Sequence, residues 1–444
     1  MKRLSLLLAV VLVLSLSAFS AQHIVRFANG IPTNFAARVN ALGGTVVTQH
    51  PLLAVVEGLS PEAAATLRGS FGVSEVNTDA EFTLDASTGE TTQADSTPTS
   101  VSNPATAFFY PRQWHMRAIG TPYAWAAGRL GSPNVTVAII DSGIDYTYPD
   151  LNGLIDLSRS VSFQPAEDAV VAATFPGKNP VTDIYFHGTH VAHTVASKAA
   201  VAAGVTSKVT LIGVKVLAYK PSTGSASGLL SAVLNGILWA ADHDADVANM
   251  SLGGGFSKVA AGPYVSLINS VFAYAYRKGM LIVVSAGNEA SDLDHNGNYY
   301  STYCSSPHVV CVAATGPTSS AGTNGPWVNV DAAAYYTNFG RSAIDIAAPG
   351  GNTGGYVYQG CSQTSVYLPV CRTGTYVIGS MGTSMASPLV SGLAALLVED
   401  IGKDKPSEVK ARLLQSADDL GQPGTDPYYG KGRINVPHAI GISY

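Results

Sequence analysis

Gly382-Thr-Ser-Met-Ala-Ser-Pro388 is a short polar loop that runs straight into the apolar stretch from Leu389 to Val398, which reads as a helix. A serine at such a junction meets the unpaired N–H groups and the positive dipole end of a helix, and both favour negative charge developing beside its hydroxyl. Gly382 lets the backbone approach closely, and Pro388 is read as lying in the first helical turn, where its missing N–H costs little. Ser384 is therefore the candidate nucleophile.

A serine hydroxyl attacks poorly until a base takes its proton, so a histidine and a group to orient that histidine are required. Two upstream motifs supply them. Val135-Thr-Val-Ala-Ile-Ile140 is an apolar, β-branched run that reads as a buried strand and delivers Asp141-Ser-Gly-Ile-Asp145 at its end. His187-Gly-Thr-His-Val-Ala192 opens a second helical stretch, expected to continue to Lys198.

In that order, the three motifs resemble the active-site signatures of the subtilisin-like (S8) serine peptidases, whose triad runs Asp, His, Ser. A fourth segment, Val283-Val-Ser-Ala-Gly-Asn288-Glu, resembles the family's oxyanion-hole strand. The resemblance implies Ser384 as nucleophile, His187 as general base, Asp141 as the orienting carboxylate, and the Asn288 amide with the Ser384 N–H as oxyanion donors. It further implies a substrate strand in Asn249-Met-Ser-Leu-Gly-Gly254. Ser251, Leu252 and Gly253 would form one wall of the primary specificity pocket, and Ala286 and Gly287 the other. Walls that small imply a roomy pocket with a broad preference, apolar or aromatic, whose base the loop 292–306 should shape.

Two positions depart from the family pattern. His193 stands where the family usually has glycine, placing three histidines at spacings of three on one helix, and its expected effect is on packing behind that helix. Asp150, in Tyr-Pro-Asp-Leu151, matches a calcium ligand of the family, whereas Lys198-Ala-Ala-Val-Ala-Ala-Gly204 lacks the oxygen-rich side chains that would complete a site for an ion wanting six to eight oxygens. The chemistry requires no cofactor, and calcium at Asp150 is left open.

Between the motifs, apolar strands alternate with helical stretches from about residue 108 onward, the pattern of an α/β domain with a mostly parallel, doubly wound sheet. Residues 22–82 differ. Short strands at His23, Thr45, Leu52 and Val73 are interleaved with helices at Asn34 and at Ser60-Pro61, where serine caps and proline takes the first position. This small α+β, ferredoxin-like unit resembles the family's I9-type inhibitory propeptide, an intramolecular inhibitor of its own enzyme. Residues 83–107 are rich in Ser, Thr, Ala and Pro and read as an exposed linker. A processing bond is expected there, between about Phe82 and Ala107.

Lys2 and Arg3 precede an apolar run from Leu4 to Leu16, followed by small residues, which reads as a secretory signal peptide over residues 1–21. No later segment is read as apolar for long enough to cross a bilayer. The expected product is a secreted monomer, extracellular or periplasmic, free of the membrane once the signal is removed. Of 444 residues only 12% are charged, with a net charge of −5 and no basic run, so no nucleic-acid partner is expected. Four cysteines suit an oxidising compartment, with Cys304–Cys311 and Cys361–Cys371 taken from three possible pairings. The sequence reading is a self-processing serine endopeptidase acting on proteins or peptides. Its alternatives are a catalytically silent binding protein on the same fold and a metal-dependent hydrolase built on the histidine cluster.

Overall fold

The computed structural model describes residues 22–84, 87–94, 102–301 and 303–443. The signal peptide read at residues 1–21 and the linker residues 95–101 lie outside them. The chain divides between Asp79 and Ala80 into two compact units.

The first unit is a four-stranded antiparallel sheet in the order Thr45–His50, Leu53–Glu57, His23–Phe27, Val73–Thr78, with helices Phe35–Ala41 and Pro61–Arg68. Ser60 Oγ accepts from the Ala63 N–H at 3.2 Å, the cap its sequence predicts. Phe27, Phe35, Val39, Val56, Leu67 and Val76 form its core.

The second unit is built on a seven-stranded sheet in the order Ile346–Pro349, Val309–Thr315, Leu281–Ser285, Val247–Met250, Thr136–Asp141, Thr210–Lys215, Val161–Ser162, with every pairing parallel. The four strands from Thr136–Asp141 through Val309–Thr315 are buried at every residue, as expected when helices cover both faces, and so read as unbroken apolar runs. Helices His187–Val195 and Thr383–Ile401 pack together, as do Leu230–Asp242 and Lys258–Arg277. Both expected disulfides, Cys304–Cys311 and Cys361–Cys371, are formed.

Several boundaries differ from those the sequence predicts, each for a physical reason. The helix that opens at His187 stops at Val195, because the chain then turns to present its N–H groups to Asp150. Helix Thr383–Ile401 begins five residues before Pro388, so that proline sits inside it. The helix is also long and apolar enough to cross a membrane by length and composition. It is instead the core helix of this unit, buried from Thr383 to Val398. Leu389, Leu393, Leu396 and Leu397 are each at most 1% exposed and contribute roughly 2 kcal/mol apiece by burial. Finally, Ser87–Gln93, read as linker, is a strand paired antiparallel with Tyr376–Met381.

Candidate active site

Asp141 closes the central strand Thr136–Asp141 with its side chain fully buried. His187 is the first residue of its helix, also fully buried, and its Nδ1 lies 2.8 Å and 3.0 Å from the two Asp141 carboxylate oxygens. The Ser142 N–H donates to the same carboxylate at 2.7 Å. That pairing assigns the proton to Nδ1 and leaves Nε2 with its lone pair available. Nε2 is buried and makes no hydrogen bond.

The histidine helix is held by a group that sequence reasoning missed. Asp183 accepts from the Thr189 N–H at 3.0 Å and the Thr189 hydroxyl at 2.6 Å, capping the helix N-terminus. Ser142 Oγ donates to Asp183 at 3.1 Å and accepts from the Gly188 N–H at 3.0 Å, linking the strand loop to the helix start. Any side chain at position 188 would place Cβ 2.1 Å from the Gly143 carbonyl, so the contact needs glycine. Burial pushes the Asp183 carboxyl up to about 7, against the hydrogen bonds from Thr189 and with the neighbouring Asp141 charge adding to the rise.

Ser384 is the second residue of helix Thr383–Ile401 and is 5% exposed. Its hydroxyl donates to the Ser251 carbonyl at 3.2 Å. Pro388 has no N–H to offer the Ser384 carbonyl four residues earlier. That carbonyl accepts instead from Ser251 Oγ at 2.8 Å. Ser251 therefore acts on the serine helix, and its own hydroxyl is fixed by Asn249 Nδ2 at 2.9 Å. Asn288 Oδ1 accepts from the Thr383 N–H at 2.9 Å and the Thr383 hydroxyl at 3.0 Å, which turns its Nδ2 amide outward as a free donor.

Leu252, Gly253, Ala286, Gly287, Asn288 and Ser384 line one cavity of about 230 Å³. Its wall also includes Glu289, Asn338, Tyr299 and Ser301. The last two come from the loop expected to form the base, and Tyr299 packs against Gly255, where a Cβ would fall 2.0 Å from the ring. Burial, then the Glu289 charge, raises the Tyr299 phenol. Asn338 ties this wall together, donating to the Ala286 carbonyl at 2.9 Å and to Glu289 at 2.6 Å. Its position in Thr337-Asn-Phe-Gly340, a stretch with no titratable group, gave no functional signal in the sequence.

The three histidines do not converge. His190 Nε2 meets the Val357 carbonyl at 3.1 Å, and burial lowers its pKa to about 3, so the ring stays neutral beside His187. His193 Nε2 lies 2.8 Å from Asp150, and its Nδ1 accepts from the Gly360 N–H at 2.7 Å. Among the described residues no group of three or more His, Cys, Asp or Glu side chains is arranged to hold a metal.

Asp150 itself does not fit a calcium ion. Its carboxylate is ringed by donors, the N–H groups of Ala200, Val201 and Ala202 at 2.6 to 2.9 Å as well as His193, and a cation there would face their positive ends. Burial pushes its carboxyl up, but the bonds from His193, Ala202 and Ala200 outweigh that and hold it below the usual value. A carboxyl depressed in the folded state stabilises above its unfolded pKa, and that contribution is lost as pH falls through the folded one. EDTA is expected to leave the melting temperature unchanged. His193→Ala, which strips a buried carboxylate of its partner, should cost about 3 kcal/mol. A melting temperature that falls with chelator and not with the substitution would reverse this account.

The Subtilase family model, Peptidase_S8, matches residues 132–432. The chain belongs to the subtilase family. This subtilase is 34% identical over 324 residues to subtilisin E of Bacillus subtilis, covering 72% of this chain and 69% of that protein. It is 31% identical over 340 residues to thermitase of Thermoactinomyces vulgaris, covering 76% and 99%. Among solved structures, the epidermin leader peptide processing serine protease of Staphylococcus aureus superposes with a TM-score of 0.72 at 21% identity, over 95% of this chain and 98% of that one. At that identity the likeness shows the fold, which is subtilisin-like. The subtilase is thus a serine-type endopeptidase acting on proteins or peptides, on the α/β architecture its sequence predicts.

Proposed function

We propose that this subtilase cleaves peptide bonds with Ser384, His187 and Asp141 and is made as a self-processing, secreted precursor that acts as a monomer. Ser384 Oγ attacks the scissile carbonyl while His187 Nε2 takes its proton. The same imidazolium then protonates the leaving amine, and water repeats the sequence on the acyl-enzyme. Asp141 keeps the Nδ1 tautomer and stabilises the imidazolium. The Asn288 Nδ2 amide and the Ser384 N–H take the oxyanion. The observation that carries the reading is the buried His187–Asp141 contact at 2.8 Å, with Nε2 left unpartnered, on a helix that packs against the one whose second residue is Ser384.

The zymogen half of the proposal is supported by the strand Glu81–Leu84. It pairs antiparallel with Ser225–Leu229, with Phe82 opposite Gly228 and Leu84 opposite Ala226. Thr83 and Leu84 line the cavity that Ser384 lines. A backbone-paired strand entering a protease cleft is how a substrate would lie. The processing bond then falls between Leu84 and Ser87, far narrower than the window read from linker composition, and residues 22–84 are the inhibitory segment released.

The chain and its Ser384→Ala variant should be expressed side by side and their masses followed with time. The parent is expected to part between Leu84 and Ser87, and the variant to stay whole. If both stay whole and the parent does not react with a fluorophosphonate, the catalytic reading fails.

A further inference from the structure

Two consecutive strands of this chain are paired with walls near Ser384. Glu81–Leu84 lies on one wall, Ser225–Leu229, and ends at Leu84. The next described residue, Ser87, starts the strand Ser87–Gln93 on the opposite wall, Tyr376–Met381. Its register is antiparallel, with Ser87 opposite Met381, Thr91 opposite Ile378 and Gln93 opposite Tyr376. Met381 is three residues before Ser384, so this wall is the strand that leads into the nucleophile. Its other edge is filled by Val357–Gly360.

The second strand is docked along its length. Beyond the ladder, the Ala94 N–H donates to the Thr375 carbonyl at 3.0 Å. Arg112 Nη1 donates to Thr92 Oγ1 at 2.8 Å, and the Tyr376 hydroxyl to Gln93 Oε1 at 3.0 Å. Gly89 crosses the Tyr356 ring so closely that a Cβ would lie 2.7 Å from it. Ser-Thr-Gly-Glu-Thr-Thr-Gln93 offers no apolar anchor, and its described attachments are main-chain bonds, two polar side-chain contacts and one close approach. That is the chemistry by which a sheet edge accepts an extended peptide of many sequences.

We infer that residues 87–94 stay on the edge of Tyr376–Met381 after the first cut and occupy the leaving side of the cleft as a tethered competitor of substrate. The inference rests on the serine-peptidase reading and on a cut between Leu84 and Ser87. Hydrolysis there puts the new carboxylate on the Glu81–Leu84 side and the new amine on the strand that stays on Tyr376–Met381. The first cut therefore frees only half the cleft. The retained strand is tethered to the enzyme, which gives it an effective concentration on the order of millimolar. A substrate with residues past the scissile bond must displace it, and one that ends at the scissile bond need not.

Two substrates separate these cases. A peptidyl p-nitroanilide has no leaving-side residues, whereas an internally quenched peptide can carry about six, enough to span the edge. Both are to be measured on the processed full-length enzyme and on Gly89→Val, which pushes the strand off Tyr356. A milder variant, Thr92→Ala with Gln93→Ala, guards against misfolding. The variants are expected to lower KM for the long peptide roughly ten-fold with kcat little changed, by removing a tethered competitor. The p-nitroanilide constants should not move. A long-peptide KM that does not fall in either variant, or both substrates shifting together, would show that residues 87–94 are only a structural strand. No p-nitroanilide hydrolysis by the processed parent would instead overturn the peptidase reading on which the inference stands.

Discussion

Replacing His187 with alanine lowers kcat/KM on a peptide substrate by roughly 10⁶-fold, the magnitude being that of subtilisin's own triad variants. The size follows from the geometry. Ser384 is 5% exposed and its hydroxyl donates to a carbonyl, so without the imidazole no other base at the centre takes its proton. Because the two residues act as one unit, the double variant His187→Ala with Ser384→Ala should be no slower than either single one. Asp141→Asn should cost less, roughly 10⁴-fold, since it spoils the tautomer and leaves the nucleophile and base in place. Steady-state kinetics on variants whose precursors have been cut in trans by the parent enzyme, which is then removed, checks all three. A His187→Ala enzyme that keeps more than about a hundredth of the parent rate would mean another base serves Ser384.

Asn288→Ala is expected to lower kcat by roughly 10²- to 10³-fold with KM nearly unchanged, a range taken from the equivalent asparagine of subtilisin. The asymmetry is the informative part. Thr383 grips the Asn288 carbonyl oxygen from two directions, so the amide is aimed before substrate arrives and gains its partner only when the tetrahedral oxyanion forms. Asn288→Asp keeps an oxygen to accept from both Thr383 donors but puts a charged acceptor where the oxyanion needs a donor, and should be at least as slow. A substitution that instead raised KM and spared kcat would place Asn288 in ground-state binding.

The elements that position the chemistry were legible because they obey strong local rules. Strands such as Thr136–Asp141 are buried on both faces and therefore announce themselves as unbroken apolar runs. What was not legible depends on contacts between distant residues. Ser87–Gln93 has the composition of a linker, and its strand pairing is with residues nearly three hundred positions later, which leaves no periodicity behind. Pro388 was read as lying in the first turn of the helix. Only the Ser251 hydroxyl, arriving from another strand to satisfy the Ser384 carbonyl, shows why a proline is tolerated deep in its first turns. Asp183 and Asn338 are ordinary polar residues in sequence, and their importance lies in what they tie together. The small walls Ala286 and Gly287 pointed to a roomy pocket of broad, apolar or aromatic preference, and Tyr299 and Ser301 join its lining from a loop that the motifs did not align.

The donor ring around Asp150 also sets what this enzyme's endurance depends on. A fold clamped by a bound ion gains stability that grows with the logarithm of that ion's concentration, so its lifetime is partly a property of the medium. At Asp150 the clamp is made of His193 and three peptide groups of the same chain, and dilution cannot remove them. The linkage at this locus is to protons alone. That one brace is the same in ion-poor or phosphate-rich surroundings, and it loosens in acid, when the carboxylate is finally titrated.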